Sequence, residues 1–237
     1  MTGPLGKRTT IPTKYSPAVL YPIERAQQRK DRNVSDFLGY DIWNIYELLW
    51  LTTDEKIHKN EISIIIDANS KFTPESKSMK LYINSLVHLK FEDFSAVKDI
   101  LKKDLEDLTR SDIEIGDVAY LSQESEQVAV ANSSYKLSHS ENDKKIDKVV
   151  NFSAFRSLCP VTNQPDIASV QINGAFSSQD LDQISKYLGS FFNKPQFHEA
   201  CVEEILENLQ LNKYQIHSVT GFFERRGGIA IIPRRLV

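Results

Sequence analysis

Residues 167–192, IASVQINGAFSSQDLDQISKYLGSFF, read as a strand (167–176) running directly into a helix (178–192). Downstream, a second helix is expected over 197–209, followed by strands at 214–224 and 228–233. Toward the N-terminus a similar order of elements is found. Residues 41–51 (DIWNIYELLWL) carry aromatic and aliphatic side chains and residues 61–66 (EISIII) are β-branched, which predicts an antiparallel strand pair joined by the polar stretch 52–60. Thr73 and Pro74 offer an N-cap and a first-turn proline for a helix over 77–88. Phe94, Val97, Ile100, Leu101, Leu105 and Leu108 recur at spacings of three and four, which makes one apolar helical face. Strand-like alternation returns over 112–121 (DIEIGDVAYL). Strands, then two helices, then strands, twice over, predict a tandem α+β arrangement. The repetition is one of element order and not of residues.

The first forty residues, punctuated by Pro4, Pro12, Pro17 and Pro22, predict an extended arm. Residues 122–148 are rich in Ser, Glu, Asn, Asp and Lys with few large apolar groups, as a linker or exposed excursion is. The expected organisation is therefore an arm (1–40), a first module (41–122), a linker (123–150) and a second module (151–237).

Composition excludes several classes of function. The chain has 237 residues, 26% charged, with a formal net charge of −3, and nothing in that balance points to a nucleic-acid or membrane partner. No run of about 18 apolar residues occurs, and residues 1–15 are polar, which predicts a cytoplasmic protein. Its two cysteines, Cys159 and Cys201, are expected as free thiols, and without nearby histidines they make a poor zinc site.

Chemistry concentrates in Cys159-Pro-Val-Thr-Asn-Gln-Pro-Asp166. A thiolate attacks an electrophilic carbon well, and a carboxyl group can relay protons to a nitrogen that becomes basic as that carbon is reduced. Seven extended residues span roughly 23 Å, so Cys159 and Asp166 meet only if the chain folds back. Pro160, Asn163 and Pro165 supply the turn chemistry for that. Taken alone, Cys159 reads more simply as a small buried hydrophobe and Asp166 as a turn cap. Cys201, among apolar helix positions, is assigned no chemistry.

Three further clusters carry both a functional and a structural reading. Pro74-Glu-Ser-Lys-Ser-Met-Lys80 at a helix start offers free N–H groups, a hydroxyl and two ammonium groups to an anionic phosphate, or is simply a well-capped helix N-terminus. His198 and Glu199 follow Phe197 and the turn-like Asn193-Lys-Pro195. The carboxylate can accept two parallel N–H donors such as a guanine-like edge presents, and the imidazole can donate or shuttle a proton. An exposed cap with a surface ion pair is the alternative. Arg225-Arg-Gly-Gly228 sets two guanidinium groups beside glycines, suited to a cofactor phosphate or to a tight hairpin turn. His58, His88, His139 and His217 have no companions that suggest ligation. With no GxGxxG after a strand, a nicotinamide cofactor would bind without a Rossmann unit.

Five segments in this order, 41–47 (DIWNIYE), 75–82 (ESKSMKLY), 159–166 (CPVTNQPD), 197–199 (FHE) and 225–228 (RRGG), resemble the 7-cyano-7-deazaguanine reductase family of queuosine biosynthesis. That family belongs to the tunnelling-fold superfamily related to GTP cyclohydrolase I. The ESKS-type motif precedes the nucleophile here, as in the longer, two-module members. The resemblance implies tandem tunnelling-fold modules, each an antiparallel sheet with two helices on one face. It also implies that Cys159 attacks the nitrile of 7-cyano-7-deazaguanine to give a covalent thioimide, which two NADPH carry to the primary amine. Asp166 is then the proton donor. Pro74, Glu75, Ser76, His198 and Glu199 hold the deazaguanine, while Ser76, Lys77, Arg226 and Gly227 meet NADPH. No metal or flavin is implied, nor direct contact with nucleic acid, and a homodimer or larger homo-oligomer is expected. After the double glycine the family usually continues with an acidic residue, an asparagine and a proline before an aromatic, whereas this chain reads Ile229-Ala-Ile-Ile-Pro-Arg234. Two competing readings are a hydrolytic nitrile or amide reaction at Cys159, and a non-catalytic purine-binding or assembly module on the same fold.

Overall fold

A computed structural model describes residues 10–118, 121, 124–132, 136–137 and 144–237. His139, part of the expected linker and the end of the strand expected over 112–121 lie outside the described residues. The chain is α+β and mostly antiparallel, and it divides into two compact units.

One unit gathers the described residues of Met1–Lys30, Ile42–Tyr120 and Arg225–Ala230. It holds β1 (Pro22–Glu24), the short α1 (Arg25–Gln28) and most of β2 (Leu38–Thr52). It continues with β3 (Ile57–Asp67), β4 (Phe72–Pro74), α2 (Ser76–Ser85), β5 (Lys90–Phe91), α3 (Phe94–Thr109) and β6 (Ile113–Gly116). Its sheet runs β6-β3-β2, with β5 parallel to the end of β2. The apolar face read from spacing is the one α3 buries, through Val97, Leu101 and Leu105. Asp93 caps its N-terminus, accepting from the Ala96 N–H at 3.0 Å.

Helix α2 starts at Ser76, one residue before the expected 77, but Thr73 and Pro74 are not its cap and first turn. Both belong to β4, where Pro74 pairs with Pro22 and Thr73 with Ile23, so the arm supplies the partner strand and keeps this stretch extended. Glu75 takes over as N-cap, its carboxylate accepting from the N–H groups of Lys77 at 2.7 Å and Ser78 at 2.8 Å.

The other unit holds the described residues of Asp31–Asp41, Leu121–Glu224 and Ile231–Val237. Its elements are β7 (Glu126–Ala129), β8 (Ile146–Leu158), β9 (Pro165–Phe176), α4 (Ser178–Gly189), α5 (His198–Leu211), β10 (Gln215–Phe223) and most of β11 (Ile229–Leu236). The strand order is β11-β10-β9-β8-β7, antiparallel except where β7 lies parallel to β8. β7 and the start of β8 fall in the stretch that composition reads as linker. The reason is visible in β8 itself: Ile146, Asp147 and Lys148 are polar or solvent-facing, while Val150, Phe152 and Phe155 turn into the core. A bulge at 153–154, with Ala154 at φ 62°, interrupts the alternation between them.

Helix α4 opens on a reciprocal capping box. Ser177 accepts from the Asp180 N–H, and the Asp180 carboxylate accepts from the Ser177 N–H. Helix α5 packs on β10, where Gly221 allows a close approach: a Cβ there would lie 2.8 Å from Val202. Deeper in this unit Arg235, fully buried, bonds Asp41 at 2.7 Å and Glu203 of α5 at 2.9 Å.

Candidate active site

The turn between β8 and β9 brings the ends of the Cys159–Asp166 segment back together. Leu158 pairs with Pro165 and Ser157 with Asp166, so the ladder runs to the edge of the turn. The Cys159 N–H donates to the Gln164 carbonyl at 2.8 Å, and the Cys159 carbonyl accepts from the Asn163 N–H at 3.0 Å. Asn163 adopts the left-handed conformation, φ 58°, that asparagine tolerates better than most residues. Cys159 is left 9% exposed and Asp166 6%, buried but reachable at the turn.

A second segment meets this turn. The Leu158 N–H donates to the Lys194 carbonyl and its carbonyl accepts from the Gln196 N–H, both at 2.9 Å, forming a parallel bridge around Pro195. Phe197, His198 and Glu199 follow at once, and α5 begins at His198. The bridge thereby delivers the start of α5 to the turn. His198 Nε2 lies 3.4 Å from Asp166 Oδ2, and its ring stacks on Phe223 with centroids 3.9 Å apart. Glu199, beside it, is buried. The turn and the start of α5 that it meets thus bear Cys159, the Asp166–His198 pair and Glu199: a thiol, a carboxyl-imidazole pair and a second carboxylate.

Cys201, in α5, lies within electrostatic reach of Asp166 but in different surroundings. It is fully buried, and burial pushes its thiol up to about 12, with the nearby Glu204 charge adding to the effect. A thiol so placed stays protonated and is a poor nucleophile at neutral pH.

The remaining predicted residues cluster in the other unit. Pro74 ends β4, Glu75 caps α2, and Ser76 and Lys77 form the helix's first turn. Arg225 and Arg226 enter a tight turn in which the Arg226 N–H donates to the Ile229 carbonyl at 2.8 Å and the Ile229 N–H returns to the Arg226 carbonyl at 3.1 Å. Gly227 (φ 56°) and Gly228 (φ 82°) take the left-handed conformations that such a turn demands. A Cβ on Gly227 would lie 2.8 Å from Lys80 Nζ, so the turn and the second ammonium of the α2 motif are neighbours. This arrangement of two lysines, an arginine, a hydroxyl and a Cβ-free turn fits an anionic phosphate.

Sequence reasoning missed what holds this turn. Arg225 pairs with Glu47 at 2.7 Å and lies over the Tyr46 ring at 4.7 Å, and the Tyr46 N–H donates to the Gly228 carbonyl at 2.9 Å. The 41–47 motif thus carries the turn that presents Arg226. His58 stacks on Trp50, His88 bonds the Pro12 carbonyl and His217 pairs with Asp147.

Two family profiles match the chain. Residues 11–116 match the one described as nitrile reductase, 7-cyano-7-deazaguanine-reductase N-term, and residues 165–236 match the one described as QueF-like protein. The NADPH-dependent 7-cyano-7-deazaguanine reductase of Coxiella burnetii (strain Dugway 5J108-111) is 35% identical over 98% of this chain and 90% of that protein. Its counterpart in Burkholderia vietnamiensis (strain G4 / LMG 22486) is 34% identical over 98% of this chain and 92% of that protein. The chain belongs to the 7-cyano-7-deazaguanine reductase family. Within that family it is of the two-module type, with the two profiles matched in succession. Among the described residues, no helix is long and apolar enough to cross a membrane. No group of three or more His, Cys, Asp or Glu among them could hold a metal.

Proposed function

We propose that the protein reduces the nitrile of 7-cyano-7-deazaguanine to the primary amine of 7-aminomethyl-7-deazaguanine, with NADPH as reductant, in queuosine tRNA-modification biosynthesis in the cytoplasm. The observation that carries the reading is the Asp166–His198 pair at the turn that bears Cys159. The Cys159 sulfur adds to the nitrile carbon: an S–C bond forms, one C–N π bond breaks, and the thiol's proton is transferred to the nitrogen by way of Asp166. The product of that step is a thioimide on the protein. Bound NADPH supplies hydride, two equivalents for each nitrile. Over the whole reaction the carbon gains two hydrides and the nitrogen two protons, while the S–C bond breaks and returns the thiol.

The residues around Cys159 serve this sequence in distinct ways. Asp166 holds and delivers protons, and His198, fixed between that carboxyl group and the Phe223 ring, restores them. Glu199 accepts the N–H donors of the guanine-like edge, which is favourable because the carboxylate is buried and water competes poorly there. Pro74, Glu75 and Ser76 contribute to holding the deazaguanine. Two acceptor positions of the Glu75 carboxylate are taken by the α2 cap, and a carboxylate has about four. Ser76, Lys77, Arg226 and Gly227, with Lys80, bind the phosphates of NADPH. Tandem tunnelling-fold modules and a homodimer or larger homo-oligomer complete the reading, with the small-molecule substrate as the partner in place of nucleic acid or membrane.

Its test is stoichiometric. Purified protein mixed with 7-cyano-7-deazaguanine and NADPH is expected to consume about two cofactors for each amine formed. Formation of an amide or carboxylate without NADPH loss would instead identify a hydrolase.

A further inference from the structure

We infer that Glu204 is a positioning residue for Cys159, an inference that rests on the reading of Cys159 as nucleophile. Leu158, the residue before the cysteine, has both backbone polar groups bonded to the 194–196 tripeptide, at 2.9 Å each. The side chains at the two ends of that tripeptide converge on one carboxylate. Gln196 Nε2 donates to Glu204 Oε2 at 3.0 Å, and Lys194 Nζ bonds Glu204 Oε1. The Pro195 between them has no N–H to offer, and the parallel bridge asks none of it.

Glu204 is itself held firmly. It lies in α5, where its carbonyl accepts from Asn208 Nδ2 at 3.0 Å and from the Tyr187 hydroxyl at 3.5 Å. The buried guanidinium of Arg32 stands 4.0 Å from Oε2, and Arg32 also reaches Glu203 at 4.0 Å and Glu207 at 3.5 Å. A continuous path of ionic and hydrogen-bonded contacts thus runs from the helix through Glu204 to Lys194 and Gln196, and through their backbones to Leu158. The Cys159 Cα is one peptide bond further on. Without the carboxylate, an ammonium and an amide lose their common acceptor, and the tripeptide can drift from Leu158 and carry the sulfur off its line of attack. Misplacement by about 1 Å costs a reaction on the order of 10²-fold.

The experiment measures two quantities. The first is the rate at which 7-cyano-7-deazaguanine adds to Cys159, followed by intact mass without NADPH. The second is nitrile affinity, measured by calorimetry in the Cys159→Ala background with and without the Glu204 substitution. Glu204→Ala is expected to slow addition on the order of 10²-fold while affinity stays within about threefold. Glu204→Gln, which keeps an acceptor oxygen but loses the charge that holds Lys194, is expected to slow addition by about threefold to tenfold, recovering most of the loss seen in Glu204→Ala. Addition at the unsubstituted rate in Glu204→Ala overturns the inference and leaves Cys159 as nucleophile untouched. Equal losses of rate and affinity overturn it too, since Glu204 would then be merely structural. Should Glu204→Ala not fold, Glu204→Gln decides: slowed addition with affinity kept supports the role, and an unslowed rate overturns it. If the unsubstituted protein forms no adduct, the reading of Cys159 falls first and the inference with it.

Discussion

His198 Nε2 stands 3.4 Å from Asp166 Oδ2, although the two residues lie on different elements, the start of α5 and the start of β9. The contact exists because Leu158 is bonded to both neighbours of Pro195, which brings the helix to the turn. In the proposed mechanism it gives Asp166, as proton donor, a companion from which it can be recharged. Asp166→Asn keeps the side chain's size but cannot deliver a proton, so turnover is expected to fall on the order of 10²- to 10³-fold. Nitrile affinity should change little. Steady-state rates set beside direct binding check this, and a matched fall in affinity would make Asp166 a binding residue instead.

Glu199 offers a contrasting case. As the acceptor for the base edge, it should matter to the nitrile and not to the cofactor. Glu199→Gln presents one donor where two acceptors are needed, and is expected to weaken nitrile binding by at least about tenfold. NADPH binding should be unaffected. Equal effects on the two ligands would remove Glu199 from the base-recognition role.

At the 225–228 turn the expectation reverses. Gly227→Ala places a Cβ 2.8 Å from Lys80 Nζ, which the flexible lysine can escape only by moving, and it strains a backbone at φ 56°. The strain is about 1–2 kcal/mol. KM for NADPH is expected to rise several-fold with little change in KM for the nitrile, and steady-state kinetics with each ligand varied in turn reads the difference.

How far these arrangements were legible in the sequence differs from one to another. Helix α3 was, because Val97, Leu101 and Leu105 lie one turn apart and all three are buried. The fold-back of the 159–166 segment was legible too, since Pro160, Asn163 and Pro165 supply turn chemistry suited to it, whereas Cys159, Asp166, His198 and Glu199 stood out as candidates only through the family resemblance. Strand β8 was not. Its first residues face solvent, and Ala154 breaks the alternation that would otherwise betray a strand. The cap of α2 was misjudged, though its start was not, because Pro74 belongs to a ladder with Pro22, a partner distant in sequence, and Glu75 caps the helix. Glu47 beneath the Arg225 turn and Glu204 behind Leu158 leave no local periodic signal: each acquires its role only when remote backbone arrives beside it.

The buried ionic cluster makes a stability prediction. Burial alone works against the charge on Arg235, but Asp41 and Glu203 outweigh it and hold the guanidinium more firmly protonated than usual. Arg235→Met takes this guanidinium from the buried Asp41 and Glu203 carboxylates and leaves Arg32, at 4.0 Å, beside Glu203. Breaking such a cluster from one side costs about 3–5 kcal/mol. Urea denaturation should show a loss of unfolding free energy of that size, and a loss near zero would mean that water reaches the site.

Alkaline pH should destabilise the fold. Burial raises the Cys201 thiol from 9.0 to about 12, and burial also raises the hydroxyls of Tyr82 and Tyr187 above their ordinary 10.0. Between the ordinary and the raised values the native state therefore holds more protons than the unfolded chain, so unfolding free energy falls as pH rises. Urea midpoints are expected to decline from about pH 8 to about pH 10.5. Cys201→Ala should shallow the decline, and an unaltered slope in that variant would show that the thiol is not the titrating group.

The most direct measurement is the mass of the protein after incubation with 7-cyano-7-deazaguanine alone, followed by peptide mapping. The predicted result is a gain equal to the intact nitrile, with no leaving group lost, located on the peptide that contains Cys159 and missing in Cys159→Ala. An adduct mapped to Cys201, or one that persists when Cys159 is replaced, would contradict the account.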